Sequence, residues 1–342
     1  MGLLLHVHEF GSPDGAPVLF LHPANVAGHI WRGPVENLGE IRALCPDLPG
    51  FGRSVDIPME GFDAVADLVA ETLVERNAPP LPVIGYSYGS YVGFRLAQRH
   101  PTRVARLMFI SGQITEIKGA WWMGPMTRAM APFLASEKAR RKGFKRLGIE
   151  PGSPWLPDDL GACSWRALSR VATAALKFEA RDAAKALTCP VLAIAGDREH
   201  SAILETMALF DAEVPQAAAR LAPGGHAWPA TSPDLFTATV TAFLHPVLKW
   251  SLKYRVPWRY VTPRRHTFCL WWPSRVFRAD CQSRTQMCSF HRYRTNWTRL
   301  EGSRNSPAAL ERAGRADNGR SLRASEKNGD ESRAYQRAKG RR

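Results

Sequence analysis

The sequence predicts an α/β fold, in which a mostly parallel central sheet carries helices on both faces and a helical insertion separates the two halves of the α/β core. Three observations support this prediction. Over the first 110 residues, short apolar runs alternate with stretches of helical spacing. Several of these runs, such as PVLFLH at 17–22, are continuously apolar, as strands buried on both faces of a sheet are. The strand signals stop between about 112 and 188 and return with PVLAIA at 190–195.

The individual elements are predicted from local patterns. Strands are expected where apolar runs are bounded by turn residues: 3–7 at the edge of the sheet, then 17–22, 41–46, 82–86, 104–110, 190–195 and 217–222. Helices are expected where apolar residues recur with helical spacing: 62–77, 88–99 and 232–245. The stretch between the strands ending at 110 and beginning at 190 is rich in Trp, Met and basic residues, and we expect it to be helical.

Charge and composition divide the chain into four segments. They are the first half of the α/β core (1–112), a helical cap (113–188), the second half of the core (189–248) and a basic tail (249–342). The tail holds 23 Lys and Arg against 7 Asp and Glu, a net charge of +16, so the total of +15 leaves −1 for residues 1–248. The near-neutral core therefore gives no electrostatic reason to expect a nucleic-acid or membrane partner.

Two interpretations of the tail remain open. Its polar, Arg-rich sequence from Ser303 cannot bury enough apolar area to offset the entropy of ordering, so we predict that the tail is mostly disordered. Basic residues interleaved with aromatic ones are typical of nucleic-acid binding, and the aromatic residues concerned are Trp258, Tyr260, Trp271, Trp272, Tyr293 and Trp297. No recognisable binding module accompanies them, and the second interpretation is a non-native extension, such as translation past a frameshift.

Cysteine usage and the N-terminal sequence indicate the compartment. The six cysteines form no CxxC pair, and neither Cys nor His has the spacing of metal ligands. The first residues lack the segments of a signal peptide, and no run of about 18 apolar residues is present. We therefore expect a cytoplasmic protein without a metal or cofactor, whose partner is a small-molecule substrate.

The strongest catalytic motif is GYSYG, Gly85 to Gly89, which has the form G-x-S-x-G. It stands between a predicted strand and a predicted helix, where a sharp turn exposes the Ser87 hydroxyl. The segments on either side approach closely, which requires glycine at both ends of the motif. The helix that follows directs its N-terminal N–H groups at the site and favours a developing oxyanion. The alternative is a plain glycine-rich turn, and the strand–turn–helix context favours Ser87 as a nucleophile.

A histidine near the end of the core can serve as the base for Ser87. In APGGHAW, His226 follows a short strand and a Gly-Gly turn and precedes the last predicted helix. A serine hydroxyl is a poor nucleophile and needs a neighbouring base with a pKa near neutrality. The alternative is a histidine of a surface loop. Two carboxylates, Asp197 and Glu199, follow the strand at 190–195, and each is a candidate for orienting His226.

Together these motifs resemble the α/β-hydrolase superfamily, in its cap-bearing branch of serine esterases and carbon–carbon bond hydrolases. The turn DLPGFGRS, Asp47 to Ser54, is similar to the D-x-x-G-x-G-x-S turn of that branch, and PTRVARLMFISG resembles the segment that leads into its sixth strand. The resemblance covers about residues 3–246. The serine at the centre of GYSYG argues against relatives with an aspartate nucleophile.

The resemblance implies roles for further residues. In relatives the triad acid usually stands third after a glycine, which favours Glu199, with Asp197 as the alternative acid. The chain order serine, acid, histidine is the order of this fold. The backbone N–H groups of Ala24 and Tyr88 are implied as the oxyanion hole, although relatives usually have His-Gly-x where this chain has HPA at 22–24.

The insertion is implied to cover the site and to set the substrate. Trp121, Trp122 and Trp155 are therefore candidates for lining an apolar substrate pocket, and the alternative is that they pack the cap on the core. The basic residues of the insertion either meet an acidic substrate or form a solvated helix face: Lys138, Arg140, Arg141, Lys142, Lys145 and Arg146. The histidine that precedes Pro23, His22, is interpreted as a structural side chain that bonds nearby backbone.

These observations predict a serine hydrolase that needs no cofactor. Its acyl-enzyme would form on Ser87, and its substrate would be a small, largely apolar ester, lactone or thioester, with carboxylic esters as the first expectation. One alternative is a non-catalytic binding or receptor member of the same fold. The presence of Ser87, His226 and an acid argues against that alternative. Another is nucleic-acid association through the tail.

Overall fold

The structure, a computed structural model, describes residues 4–117 and 119–245. Its strands form one sheet: β1 (Val7–Gly11), β2 (Ala16–Leu21), β3 (Ile41–Pro46), β4 (Leu81–Tyr86), β5 (Val104–Ile110), β6 (Val191–Gly196) and β7 (Ala217–Ala222). Their order across the sheet is β1-β3-β2-β4-β5-β6-β7. Strand β1 runs antiparallel to β3, and the other neighbouring strands are parallel. The predicted fold class, a mostly parallel sheet, is confirmed.

Helices connect most of the strands. The α-helices of the described residues are α1 (Arg32–Val35), α2 (Phe62–Glu75), α3 (Tyr88–Arg99), α4 (Met123–Leu134), α5 (Glu137–Arg146), α6 (Trp165–Leu176), α7 (Arg181–Lys185), α8 (Ser201–Glu213), α9 (Trp228–Thr231) and α10 (Pro233–Leu244). Short 3₁₀ helices lie at Gly28–Trp31, Gly52–Ser54, Pro101–Arg103 and Ala120–Trp122.

Both faces of the sheet are buried. Val83 and Phe109 pack in a cluster with residues of α2, α3 and α8, whereas Ile84 and Met108 pack in a second cluster with residues of α1 and α10. Successive residues of a strand point to opposite faces, so a strand covered on both sides is continuously apolar. This explains the apolar runs that predicted the parallel sheet.

The edge strand differs from its prediction. It was expected at 3–7, but β1 begins at Val7 and pairs with β3, where Val7 lies opposite Pro46 and Gly11 opposite Arg42. The residues of β1 are half-buried or exposed, so this strand has no continuous apolar run. The apolar start of the chain was therefore a poor guide to the position of β1.

The residues between β5 and β6, 111–190, form the insertion, which contains α4, α5, α6 and α7. Helix α4 packs against α6, and α6 reaches α3. The insertion also docks on the loop after β3, where Phe51 and Cys163 form an antiparallel bridge and the Gly52 N–H donates to the Ala162 carbonyl at 2.9 Å. It is therefore held against the carboxyl ends of the strands, where ligands bind in open α/β sheets.

The predictions for the tail, 249–342, lie outside the described residues. Within the described ranges, we find no helix that combines the length and apolar character needed to cross a membrane.

Candidate active site

Ser87 occupies a strained turn between β4 and α3. Its φ is 52° and its ψ is −111°, a backbone conformation that residues other than glycine rarely adopt. A Cβ at Gly85 would collide with the Gly89 carbonyl, and a Cβ at Gly89 would collide with the Leu21 carbonyl. Glycine is thus required at both ends of GYSYG by close backbone approach. Strain of this kind costs about 1–3 kcal/mol and is concentrated at functional sites.

Three side chains from distant parts of the chain form a hydrogen-bonded series. His226 Nε2 lies 3.0 Å from Ser87 Oγ, and His226 Nδ1 lies 2.9 Å from Glu199 Oε2. The side chain of Glu199 is 2% exposed and that of His226 is 38% exposed. With its proton on Nδ1, His226 donates to Glu199 and accepts from the Ser87 hydroxyl. The structure therefore brings together three of the residues that the sequence marked as catalytic candidates.

The electrostatics of the pair favour a carboxylate beside the imidazole. Burial opposes the charged form of Glu199, but the charge and the hydrogen bond of His226 outweigh it and lower the pKa of that carboxyl. Burial likewise opposes the charged form of His226, but Glu199 outweighs it and raises the pKa of the imidazole. A carboxylate held in this way stabilises the imidazolium that forms when His226 takes a proton.

Asp197, the alternative acid, lies elsewhere. Its Oδ1 accepts a hydrogen bond from the Gly224 N–H at 2.9 Å, and its own N–H donates to the Ala222 carbonyl at 2.8 Å. Asp197 thus fixes the turn that follows β7 and leads to His226. The sequence left both carboxylates as candidates for the contact with His226. The structure shows that Glu199 makes this contact.

Tyr86 is a site residue that the sequence analysis did not identify. Its hydroxyl donates to the His226 carbonyl at 2.6 Å, and its ring lies 5.7 Å from the imidazole, centroid to centroid. Tyr86 is buried at the end of β4, directly before Ser87. The same strand end therefore supplies the candidate nucleophile and an anchor for the candidate base. Its position inside G-x-S-x-G was the available signal, but the motif leaves that residue unspecified.

The buried side chain of His22 fixes the loop after β2. The imidazole is fully buried, its Nδ1 bonds the Pro23 carbonyl at 2.8 Å, and its Nε2 accepts from the Leu48 N–H at 2.9 Å. Burial lowers the pKa of His22 to about 4, so the ring is neutral at pH 7. A planar trans peptide directs its carbonyl and its N–H to opposite sides. By fixing the Pro23 carbonyl, His22 therefore also orients the Ala24 N–H.

Tyr88, the other implied oxyanion donor, is the first residue of α3. The first N–H groups of a helix have no partner within the helix and carry the positive end of its dipole. The Tyr88 N–H is thus available to an anion beside Ser87.

Comparison with known proteins supplies the family. The family model described as "Alpha/beta hydrolase family" matches residues 18–239. This chain belongs to the alpha/beta hydrolase family. Among structures that this chain resembles, a thermophilic esterase from Thermogutta terrifontis has a TM-score of 0.59 at 23% identity, with 71% of this chain and 93% of the esterase covered. The enol-lactonase from Burkholderia xenovorans LB400 has a TM-score of 0.59 at 20% identity, with 70% and 96% covered. These two structures show the same fold.

Two curated relatives share more of the sequence over a shorter stretch. Lipase LipV of Mycobacterium tuberculosis is 35% identical over 106 residues, which are 31% of this chain and 41% of the lipase. The 2-succinyl-6-hydroxy-2,4-cyclohexadiene-1-carboxylate synthase of Escherichia coli strain IAI39 is 35% identical over 96 residues, which are 28% of this chain and 38% of the synthase. The chain thus matches less than half of the length of either relative.

The three tryptophans predicted to line a substrate pocket differ in burial. Trp121 is 84% exposed and Trp122 is 41% exposed, so neither is packed in the core, and their place in a substrate pocket stays a prediction. Helix α4, which follows them, buries only Met123 and Ala131, so its bulky neighbours stay outside. Trp155 is 2% exposed and packs 5.4 Å from Trp31 and 4.9 Å from Phe236, centroid to centroid, in the core. Trp155 therefore follows the alternative interpretation, packing of the insertion on the core.

A buried carboxylate joins the loops after β2 and β3. Asp47 Oδ1 accepts from the Gly28 N–H at 2.6 Å and lies 3.0 Å from His8 Nε2, while its Oδ2 accepts from the Arg53 N–H at 2.8 Å. Burial opposes ionisation, but these hydrogen bonds prevail and lower the pKa of Asp47 to about 2. The first residue of the DLPGFGRS turn therefore fixes two loops that surround the site.

Asp47 also belongs to the group of described side chains that could hold a metal. The ligand atoms of His6, His8 and Asp47 lie within 4.8 Å of one another, because the antiparallel pairing of β1 with β3 places them on one face. The Asp47 oxygens already accept three hydrogen bonds, so a cation would have to break the hydrogen bond between His8 and Asp47. We interpret the group as structural.

Proposed function

We propose that this chain is a serine hydrolase that cleaves small, largely apolar carboxylic esters, lactones or thioesters through an acyl-enzyme. The observation that carries the proposal is the continuous series Ser87 Oγ to His226 Nε2 at 3.0 Å and His226 Nδ1 to Glu199 Oε2 at 2.9 Å. The arrangement meets the requirement for an activated serine: a base within hydrogen-bond reach, itself oriented by a third group.

In the first half of the proposed reaction, Ser87 Oγ attacks the carbonyl carbon while His226 Nε2 takes its proton. Glu199 keeps the proton of the imidazole on Nδ1 and stabilises the imidazolium. The N–H groups of Ala24 and Tyr88 bind the oxyanion, and each such donor typically contributes about 3 kcal/mol to transition-state stabilisation. The leaving group receives the proton from His226 and departs, and Ser87 remains acylated.

In the second half, water replaces the leaving group. His226 accepts a proton from the water molecule as it attacks the acyl carbon, and the same two N–H groups bind the second oxyanion. Collapse of this intermediate releases the acid, and the proton returns from His226 to Ser87 Oγ. The insertion, docked on the loop after β3, is proposed to act as a cap that limits which acyl and leaving groups reach Ser87.

A second candidate function is a reaction on a compound that carries a carboxylate, suggested by the synthase relative, whose named product is a carboxylate. Recognition of a carboxylate is usually achieved by arginine or lysine side chains that face the ligand. The buried arginine of the insertion, Arg140, donates to backbone carbonyls instead. We therefore favour an uncharged substrate and hydrolysis.

The test is hydrolysis of p-nitrophenyl butyrate by the full chain and by its Ser87→Ala variant. We expect turnover by the wild type and a loss of roughly 10³-fold or more in Ser87→Ala, since that change removes the nucleophile. Ser90→Ala is the matched control, because it removes a serine hydroxyl three residues from Ser87 and leaves Ser87 Oγ in place. The Ser90 hydroxyl donates to the Ser87 carbonyl at 2.6 Å. Equal rates in the wild type and in Ser87→Ala would refute the proposal.

A further inference from the structure

A buried arginine links the insertion to the loop that carries Ala24. Arg140, on α5, is only 6% exposed although it lies within a basic run. Its Nη1 donates to the carbonyl of Asn25 at 2.9 Å and to that of Leu160 at 3.3 Å, and its Nη2 donates to the carbonyl of Gly161 at 2.9 Å. Two of these carbonyls belong to the insertion, and the third belongs to the loop after β2. One guanidinium on α5 therefore binds two backbone segments, the loop after β2 and residues 160–161.

The surroundings of Arg140 differ from those of its neighbour. Arg141 pairs with Glu137 at 2.7 Å on the surface of the helix. Among the described residues, no carboxylate lies within ion-pair distance of Arg140, and burial lowers the pKa of its guanidinium. A buried charge without an opposite charge is unfavourable for stability. Its position is therefore better explained by what it holds than by a gain in packing.

The carbonyl that Arg140 holds belongs to an irregular stretch of backbone. Asn25 has a φ of 75°, in the left-handed region, so no regular element fixes the peptide that follows it. His22 fixes the peptide two residues earlier, through the Pro23 carbonyl at 2.8 Å. The Ala24 N–H belongs to the peptide that His22 anchors, and the peptide that Arg140 anchors lies two further along the chain. Only Ala24 and Asn25 separate the two anchors, so loss of the Arg140 contact would release one end of the short segment whose other end carries the Ala24 N–H.

We propose that Arg140 is a positioning residue, which sets the geometry of the oxyanion hole from the insertion. The inference rests on the proposed function, because it assigns a role to Arg140 only if the Ala24 N–H binds an oxyanion. Oxyanion donors are effective when they are preorganised toward the charge of the transition state. Docking of the insertion and stabilisation of the oxyanion are therefore coupled through one side chain.

The experiment compares Arg140→Met, Arg140→Lys and Lys142→Met in the full chain. Lys142 is exposed on the same helix, so Lys142→Met is the control for loss of one positive charge from α5. Hydrolysis of p-nitrophenyl butyrate is measured at a temperature at which circular dichroism shows each variant to be folded. We expect kcat of Arg140→Met to fall by roughly 10- to 100-fold, with KM changed by less than about threefold.

Two further readouts separate positioning from mere structural support. Arg140→Lys should keep an intermediate kcat, because an ammonium replaces part of the three-carbonyl contact. Affinity for a trifluoromethyl ketone, which binds a serine hydrolase as a tetrahedral oxyanion, should fall by the same factor as kcat/KM. Loss of stability alone would change neither quantity in molecules that are folded.

The outcomes decide the inference. A folded Arg140→Met with wild-type kcat would overturn it, and so would a loss confined to KM, which would assign Arg140 to substrate binding. If Arg140→Met does not fold, Arg140→Lys is judged by the same criteria. Absence of hydrolysis in the wild type would refute the proposed function itself, and the inference with it. An active wild type with unaffected Arg140 variants would refute the inference alone.

Discussion

Glu199 and Asp197 stand two residues apart and have separate tasks. Glu199 bonds the imidazole of His226, while Asp197 bonds the N–H of Gly224 and shapes the loop that brings His226 to Ser87. Both side chains leave the carboxyl end of β6, yet only the longer one reaches the ring. The division suggests variants that separate chemistry from loop structure.

We predict that Glu199→Gln lowers kcat by roughly 10²- to 10⁴-fold, because an amide neither stabilises the imidazolium nor enforces the tautomer with the proton on Nδ1. Asp197→Asn should lower kcat by less than about tenfold and mainly reduce stability, by about 1 kcal/mol for a weakened hydrogen bond. Ester hydrolysis and denaturant unfolding of both variants check this. A larger loss of kcat in Asp197→Asn than in Glu199→Gln would show that Asp197, and not Glu199, is the acid of the triad.

The pH dependence of kcat/KM follows from the raised pKa of His226. The base must be neutral to accept a proton, so activity should disappear as pH falls through a pKa above the ordinary value of 6.5. Removing the carboxylate in Glu199→Gln should move this acid limb to lower pH. An acid limb that stays in place in the variant would show that Glu199 does not control the imidazole.

The candidate site was only partly predictable from the sequence. Ser87 and His226 stand in local patterns that backbone geometry requires, so each was found within its own segment. The choice between Glu199 and Asp197 depends on side-chain reach across a loop and stayed open. Tyr86 and Arg140 act through contacts 140 and 115 residues away along the chain, which local patterns do not reveal.

At the scale of elements, the loops at the carboxyl ends of the strands are held by buried polar groups. Asp47 follows β3 and bonds the N–H groups of Gly28 and Arg53, and His22 follows β2 and bonds the backbone at Pro23 and Leu48. Loops lack the regular ladder of backbone hydrogen bonds that strands form, so buried side chains supply many of the partners. The loops beside the proposed oxyanion hole are therefore held in place by buried side chains.

We predict that Asp47→Asn destabilises the fold by about 2 kcal/mol at neutral pH, which corresponds to the depression of the Asp47 pKa from 3.8 to about 2. The contribution of Asp47 is present above the unfolded pKa and is lost as pH falls through the folded pKa. The wild type and the variant should therefore converge in unfolding free energy between about pH 4 and pH 2. A difference that is constant over this range would exclude the buried charge as its cause.

Several elements were predicted with the bounds that the structure shows. The predicted bounds at 41–46, 88–99, 104–110 and 217–222 agree with β3, α3, β5 and β7. Helix α8, Ser201–Glu213, was not predicted, although its buried residues recur with helical spacing. It follows the loop with the two candidate acids, and its N-cap is His200, which is not one of the usual N-cap residues. The edge strand β1 was misplaced because its residues are half-buried or exposed and leave a weak pattern.

At the scale of the whole molecule, the described residues form a seven-stranded sheet with helices on both faces. The last helix, α10, ends at Leu244 and buries Phe236, Val240 and Phe243 against the sheet. The insertion belongs to the same body through its contacts with α3 and with the loop after β3. The predicted boundaries of the cap, 113–188, remain a prediction, as does its role in selecting the substrate.

We predict that deletion of residues 250–342 leaves the rate of ester hydrolysis unchanged and the free energy of unfolding within about 1 kcal/mol of that of the full chain, since the two described hydrophobic clusters lie within residues 4–245. Activity and circular dichroism of the two proteins, purified in the same way, are the measurements. Loss of the fold on deletion would contradict the prediction. Nucleic-acid binding by the full chain that weakens steeply with salt and disappears on deletion would instead assign a function to the tail.

The most direct test of the central claim is covalent trapping of the serine. The full chain is treated with a fluorophosphonate, and its intact mass and its proteolytic peptides are measured beside those of Ser87→Ala and His226→Ala. We predict one stoichiometric adduct on the peptide that contains Ser87, none in Ser87→Ala, and labelling slowed by roughly 10²-fold or more in His226→Ala. Labelling at another residue, or labelling of the wild type that is no faster than that of His226→Ala, would contradict the account.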